Sequence, residues 1–123
     1  MFKSMAEVAA ESDELGGIVC LTLGDLRDAV GAGKLGRWVL ERISEELDAE
    51  GLGYFPPAVL RANDEPRQHQ EIRIYRKGPN VVARVIDAVL NPTQKGDEVL
   101  RSLGGDDARE VLAEVRKLIG VVD

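Results

Sequence analysis

The sequence has few of the residues from which covalent, redox and metal sites are built. Its 123 residues include one cysteine, Cys20, and one histidine, His69. A single cysteine excludes an internal disulfide, and a lone histidine in a polar stretch forms no metal-ligand pattern. Ser44 has no histidine at a spacing that suggests nucleophilic catalysis. We therefore expect a protein that is not an enzyme and needs no cofactor or metal.

Long apolar runs are also missing. No run of about 18 apolar residues is present to span a bilayer. The N-terminal stretch MFKSMAEVAAESDE lacks the basic region, apolar core and cleavage site of a signal peptide. The composition, 44% hydrophobic and 31% charged, is ordinary for a globular protein. We expect one cytoplasmic domain over residues 1–123, with no membrane partner.

Basic residues are fewer than acidic ones. The sequence has 16 Lys and Arg residues and 22 Asp and Glu residues, which give a formal net charge of -6. This balance argues against indiscriminate nucleic-acid binding, because Lys and Arg supply most of the affinity for phosphates. Residues 61–84 reverse the balance, with six basic and three acidic side chains. They include the stretch PRQHQEIRIYRKG at 66–78, the one concentrated positive segment of the chain.

The first half of the sequence predicts two helices around a strand, followed by a longer helix. Ser4 and Glu7 have capping-box spacing for a helix over 5–12. The apolar run at 17–21 predicts a buried strand with an inert thiol at Cys20. Thr22 is placed to cap a helix over 23–30, which ends at glycine. The apolar positions of 36–50 predict a helix that buries Trp38 in the core.

The second half predicts two strands and then more helices. Two prolines limit residues 52–55 to a short edge strand, and residues 61–70 are polar, as in a loop. Ile72 and Ile74 alternate with polar residues over 71–77, which is typical of an antiparallel strand with one buried face. Apolar pairs recur every four residues over 81–90, favouring a helix capped by Asn80. Further helices are predicted near 97–103 and 107–119.

This element order over residues 17–78 resembles the winged helix-turn-helix family of DNA-binding domains. The resemblance implies an α+β fold with a small antiparallel sheet, in which 23–30 is the supporting helix and 36–50 the recognition helix. The wing is centred on 61–70. Residues 80–119 form a helical C-terminal extension. Its apolar stripes at 81–90 and 111–119 either cover the same core or pair two copies into a homodimer.

The resemblance implies a double-stranded DNA-binding protein with a role in regulation or in DNA-directed defence or maintenance. The family requires cations at the start of the recognition helix and along the wing, with amides that reach base edges or phosphates. The candidate DNA-binding residues are Lys34, Arg37, Arg61, Arg67, Gln68, Gln70, Arg73 and Lys77.

Two alternatives remain open at this point. The predicted recognition helix carries five carboxylates between Glu41 and Glu50, a poor surface to lay along a polyanion. An acidic helix of this kind suits a winged-helix module that binds another protein, or a non-catalytic subunit of a larger complex.

The basic residues of 67–77 have a second explanation, since charges on an edge strand discourage edge-to-edge pairing. Tyr75 is either a binding contact or part of cross-strand packing.

Overall fold

A computed structural model of the protein describes residues 2–104, 113, 116 and 117. The chain divides into two compact units, Met1–Lys77 and Gly78–Asp123. The described residues form an α+β structure of six helices and one three-stranded antiparallel sheet. The helix predicted near 107–119 lies outside the described residues except at positions 113, 116 and 117. Its proposed part in pairing therefore stays a prediction.

The Met1–Lys77 unit contains the elements predicted from the sequence and one further helix. In chain order they are α1 (Met5–Glu14), β1 (Ile18–Thr22), α2 (Leu23–Ala29), α3 (Arg37–Ala49), β2 (Leu52–Phe55), α4 (Ala58–Arg61) and β3 (Glu71–Arg76). The short helix α4 lies in a stretch where no helical pattern was predicted. It begins directly after two prolines, and the carbonyl of Pro57 accepts hydrogen bonds from the N–H groups of Leu60 and Arg61.

The sheet has the order β1-β3-β2, with both pairs antiparallel. Ile72 and Ile74 of β3 are fully buried, which confirms the predicted strand with one buried face. Because β3 is hydrogen-bonded on both sides, the explanation of its basic residues as protection for an edge strand is wrong.

One side of the sheet is covered by helices of the same unit. Each helix contributes apolar side chains that are almost inaccessible to water, among them Val8 of α1, Leu26 of α2 and Ile43 and Leu47 of α3. The links from α2 to α3 and from α3 to β2 each contain a glycine in the left-handed region, Gly31 (φ 72°) and Gly51 (φ 72°). These glycines end α2 and α3 where the sequence predicted.

Two predictions about burial are wrong. Trp38 is 79% exposed, and Cys20 is also exposed rather than buried in the core. On a helix with 3.6 residues per turn, Trp38 lies about 140° from Ile43 and about 180° from Leu47, on the opposite face. In β1 the neighbours of Cys20, Val19 and Leu21, both face the core, so strand alternation turns the thiol outward.

The Gly78–Asp123 unit contains α5 (Val81–Leu90) and α6 (Gln94–Gly104). The side chain of Asn80 accepts a hydrogen bond from the N–H of Ala83 at 2.8 Å, as predicted for the cap of α5. The two helices approach closely at Gly96, where a β-carbon would lie 3.2 Å from that of Ala88. Among the described residues, every helix is too short or too polar to cross a bilayer.

Candidate functional site

The first turn of α3 presents cations beside an uncapped helix end. Lys34 is exposed in the turn between α2 and α3. Gly36 occupies the N-cap position of α3 and has no side chain to accept a hydrogen bond from the first-turn N–H groups. Arg37, the first residue of α3, is 87% exposed, and its Nε reaches the Glu41 carboxylate only at 4.0 Å. This end of α3 therefore offers backbone donors and positive charge to solvent.

A groove of about 820 Å³ runs between α3 and the chain that follows β2. Its floor includes the buried side chains of Leu40 and Leu60. Its charged lining comes from both walls and consists of Arg37, Glu41 and Glu45 on α3, with Arg61 and Asp64 opposite. Arg37 and Arg61, two of the predicted DNA-binding residues, therefore line one groove, which is also lined by three carboxylates.

Arg61 is held at the groove by Tyr54. Its Nε donates a hydrogen bond to the Tyr54 hydroxyl at 3.0 Å, and that hydroxyl lies 3.3 Å from the Ser44 hydroxyl of α3. This hydrogen bond uses only Nε of the guanidinium, and the two terminal nitrogens remain as further donors. The sequence predicted Arg61 as a site residue but did not indicate α4, which places it beside α3.

The two predicted glutamines hold the 62–70 loop in place. The Gln70 side-chain oxygen accepts hydrogen bonds from Asn63 Nδ2 at 3.0 Å and from the Arg67 N–H at 2.7 Å. The main-chain carbonyls of Gln68 and Gln70 accept from the first N–H groups of α2, each at 2.9 Å. The Gln68 side chain also accepts from Arg27 at 3.4 Å. These residues position the loop, a role that the sequence did not indicate.

The remaining predicted cations lie beside carboxylates. Arg67 is 3.7 Å from Glu65, and Arg73 is 3.8 Å from Glu71. Lys77 donates a hydrogen bond to Asp48, near the C-terminal end of α3. Asp48 is eleven residues from the start of α3, or about 16 Å along the helix axis. The predicted positive residues therefore do not form one surface, because Lys34 and Arg37 lie at the start of α3, Arg61 lies beside its middle and Lys77 lies near its other end.

Short ion pairs shift the pKa values of the carboxylates that they contain. A hydrogen bond from Arg76 lowers the pKa of Asp13, and a hydrogen bond from Lys77 lowers the pKa of Asp48. Desolvation raises the pKa of the Cys20 thiol, and the nearby charge of Arg73 lowers it by less. The shift favours the protonated thiol over the nucleophilic thiolate.

Comparison of the chain with protein-family models, with curated proteins and with solved structures finds no match. Among the described residues, no group of three or more His, Cys, Asp or Glu side chains is placed to hold a metal ion.

Proposed function

We propose that the Met1–Lys77 unit is a winged-helix DNA-binding module that contacts duplex DNA through the first turn of α3. Its element order, with β3 between β1 and β2, is compatible with a winged-helix-like arrangement. In that arrangement α3 is the recognition helix, and α4 with the 62–70 loop takes the place of the wing. The module serves a regulatory role, or a role in DNA-directed defence or maintenance.

The observation that carries this proposal is the position of the cations that are not held in short ion pairs. Lys34, Arg37 and Arg61 lie at the start of α3 or on the groove beside it. Of the cations with partners within 3 Å, Arg76 lies on β3, whereas Arg42 lies on α3 and is paired there with Glu46. Positive charge is therefore available at the end of α3 where a winged-helix domain meets DNA.

The helix end adds donors to these charges. The N–H groups of the first turn of α3 have no side-chain cap, and the positive end of the helix dipole favours an anion there. A phosphate beside Lys34 and Arg37 accepts hydrogen bonds from these N–H groups and carries the negative charge that the helix dipole favours. Arg67, next to the groove residue Pro66, is placed to reach a neighbouring phosphate. Arg73 and Lys77 lie outside the proposed contact surface.

Fluorescence anisotropy with a labelled random-sequence duplex tests this proposal. We expect binding that weakens steeply between about 50 and 200 mM salt, because each phosphate contact releases counterions. Changing Lys34→Glu and Arg37→Glu together should weaken binding at least about tenfold, a cost of about 1.4 kcal/mol. The matched control is Lys95→Glu on α6, which changes an exposed charge outside the unit and should alter the affinity by less than about twofold.

The absence of binding at the lowest salt contradicts the proposal. Lys95→Glu reverses one charge where the double variant reverses two, so weakening by Lys95→Glu of half the logarithmic size or more contradicts the assigned surface, because the effect would then follow net charge alone. Pairing of two copies through the stripes at 81–90 and 111–119 is a separate proposal. When the titration is extended to higher protein concentration, addition of a second copy to the bound duplex would appear as a second binding step.

A protein partner is the second candidate, and the carboxylates of the groove favour it. Glu45 and Asp64 line the groove and have no partner among the described contacts, while its floor is apolar. A segment that carries a cationic side chain complements this lining better than a phosphate does. This candidate predicts no duplex binding in the titration. It also predicts a stoichiometric co-purifying protein that is lost on Glu45→Lys with Asp64→Lys and retained on Lys95→Glu.

A further inference from the structure

Tyr54 holds two polar groups in place on opposite walls of the groove beside α3. Its hydroxyl accepts a hydrogen bond from Arg61 Nε at 3.0 Å and lies 3.3 Å from the Ser44 hydroxyl. The central carbon of the Arg61 guanidinium is 5.7 Å from the centre of the Tyr54 ring. Ser44 and Arg61 both line the groove. Because these groups are already held by the fold, less entropy is lost when they bind a ligand.

The charges on this groove are not paired with one another. Among the described residues, Arg61 has no carboxylate within ion-pair distance, although three carboxylates line the same groove. Glu45 on α3 and Asp64 on the opposite wall form no hydrogen bond or ion pair with any described residue. Arg37 differs, because Glu41 lies 4.0 Å from it. One guanidinium and two carboxylates therefore remain available on the same groove.

These groups define the charges of a matching ligand. A guanidinium with two available terminal nitrogens suits a carboxylate, because two parallel hydrogen bonds can form, and the Ser44 hydroxyl lies close by. The two available carboxylates suit an ammonium group, which donates three hydrogen bonds. A phosphate is a poorer match, since its second negative charge would lie near Glu45 and Asp64. A ligand with one carboxylate and one ammonium group complements both kinds of charge.

The charged groups lie close enough together for a compact ligand to reach both kinds. Ser44 Oγ and Arg61 Nε are both within 3.3 Å of the Tyr54 hydroxyl. Glu45 directly follows Ser44 in α3. Asp64 lies three residues after Arg61. An α-amino acid meets this requirement, because its carboxylate and its ammonium group are attached to one carbon atom.

We propose that the groove binds a free α-amino acid with an apolar side chain. Arg61 and Ser44 bind the carboxylate of the ligand, and the two available carboxylates bind its ammonium group. The side chain of the ligand lies over the apolar floor formed by Leu40 and Leu60. The groove, of about 820 Å³, has the size of a small-molecule site. This inference goes beyond the proposed function and does not rest on it, since the groove can hold an amino acid whether or not duplex DNA binds.

Three probes that share one branched apolar chain test the two-charge recognition. L-Leucine carries both charges, isocaproate lacks the ammonium group, and isoamylamine lacks the carboxylate. Backbone amide NMR shifts of the isotope-labelled full chain give the affinity for each probe and show where it binds. We expect L-leucine to bind at least about fivefold more tightly than either analogue, because each analogue loses one set of charged contacts. The shifts should centre on groove residues such as Ser44 and Ala62.

Variants assign each charge of the ligand to its partner. Arg61→Gln should weaken L-leucine binding at least about fivefold and should not weaken isoamylamine binding, because isoamylamine has no carboxylate. Glu45→Gln with Asp64→Asn should weaken L-leucine binding to the same degree and should not weaken isocaproate binding. All three side chains are exposed, so the fold should tolerate these changes. Arg42→Gln removes an exposed arginine of α3 that does not line the groove, and this matched control should keep the wild-type affinity.

Three results would overturn the inference. The first is the absence of shifts with L-leucine up to its solubility limit. The second is equal affinity for L-leucine and either analogue, which would show that the groove does not recognise both charges. The third is an Arg61→Gln variant that binds L-leucine as tightly as Arg42→Gln does. None of these results concerns duplex binding, so the anisotropy titration tests the proposed function separately.

Discussion

The Tyr75 ring lies across Gly53, its neighbour on β2. The two residues are direct partners in the β2–β3 register, and the ring centroid of Tyr75 is 6.1 Å from that of Phe55. A β-carbon at Gly53 would lie 2.3 Å from the Tyr75 ring. Of the two interpretations left open by the sequence, cross-strand packing is therefore the one that the structure contains.

Because of this contact, an alanine at Gly53 would displace the Tyr75 ring. Gly53→Ala should lower the free energy of unfolding by about 1–3 kcal/mol, because the Tyr75 ring must leave its place over β2. Urea denaturation measures the change. Gly33→Ala is the matched control, since a β-carbon at Gly33 meets nothing within 4 Å. A Gly53→Ala variant as stable as Gly33→Ala would mean that the ring moves aside at no cost.

The sequence could predict the candidate residues at the start of α3. It could not predict the contacts that the other candidate residues make. Lys34 and Arg37 follow from local signals, a glycine turn and the start of an apolar period. The error at Trp38 had a local signal too, because spacings of five and nine residues from Ile43 and Leu47 do not return to one face of a helix. The hydrogen bonds of Gln70 and the ion pair of Lys77 depend on residues brought close only by folding.

At the scale of elements, the junction of β1 and α2 fixes where the α2–α3 helix pair begins. Thr22 accepts a hydrogen bond from the Asp25 N–H at 3.1 Å, and the Asp25 carboxylate accepts one from the Thr22 N–H at 3.0 Å. This is a complete capping box, formed around the Thr22 cap that the sequence indicated. Local side-chain chemistry was sufficient here, because both partners lie within one turn.

Loss of this cap should destabilise the unit by a predictable amount. Thr22→Ala removes the side-chain acceptor and should cost about 1 kcal/mol in the free energy of unfolding. Thr22→Ser keeps the hydroxyl and should stay within about 0.5 kcal/mol of the wild type. Thermal or urea unfolding distinguishes the two variants. Equal losses in both would show that the threonine methyl group, rather than the hydrogen bond, stabilises the junction.

At the scale of the whole molecule, ion pairs decide which positive charges remain available. Arg76 donates to both carboxylate oxygens of Asp13, at 3.0 and 2.9 Å, which joins the end of β3 to α1. Lys77, the residue directly after β3, donates a hydrogen bond to Asp48 and so links the end of that strand to α3. These pairs neutralise the basic end of the PRQHQEIRIYRKG stretch. Total charge and local composition could not reveal this, because the acidic partners come from distant parts of the chain.

The same two pairs make stability depend on pH in a defined direction. Because Arg76 and Lys77 lower the folded-state pKa values of Asp13 and Asp48, the unfolded chain binds protons to these groups more readily. Their contribution is therefore fully present above the unfolded pKa of about 3.9 and is lost as the pH falls through the lower folded values. Stability should decrease with acidification across this window.

Replacing both carboxylates should flatten that dependence. We expect Asp13→Asn with Asp48→Asn to lower the free energy of unfolding at pH 7 and to reduce its slope against pH between about 5 and 2, because two proton-linked groups are gone. Urea denaturation at a series of pH values gives the slope directly. Asp64→Asn, which removes a groove carboxylate without a described partner, is the control and should keep the wild-type slope. An unchanged slope in the double variant would show that Arg76 and Lys77 do not stabilise these carboxylates in solution.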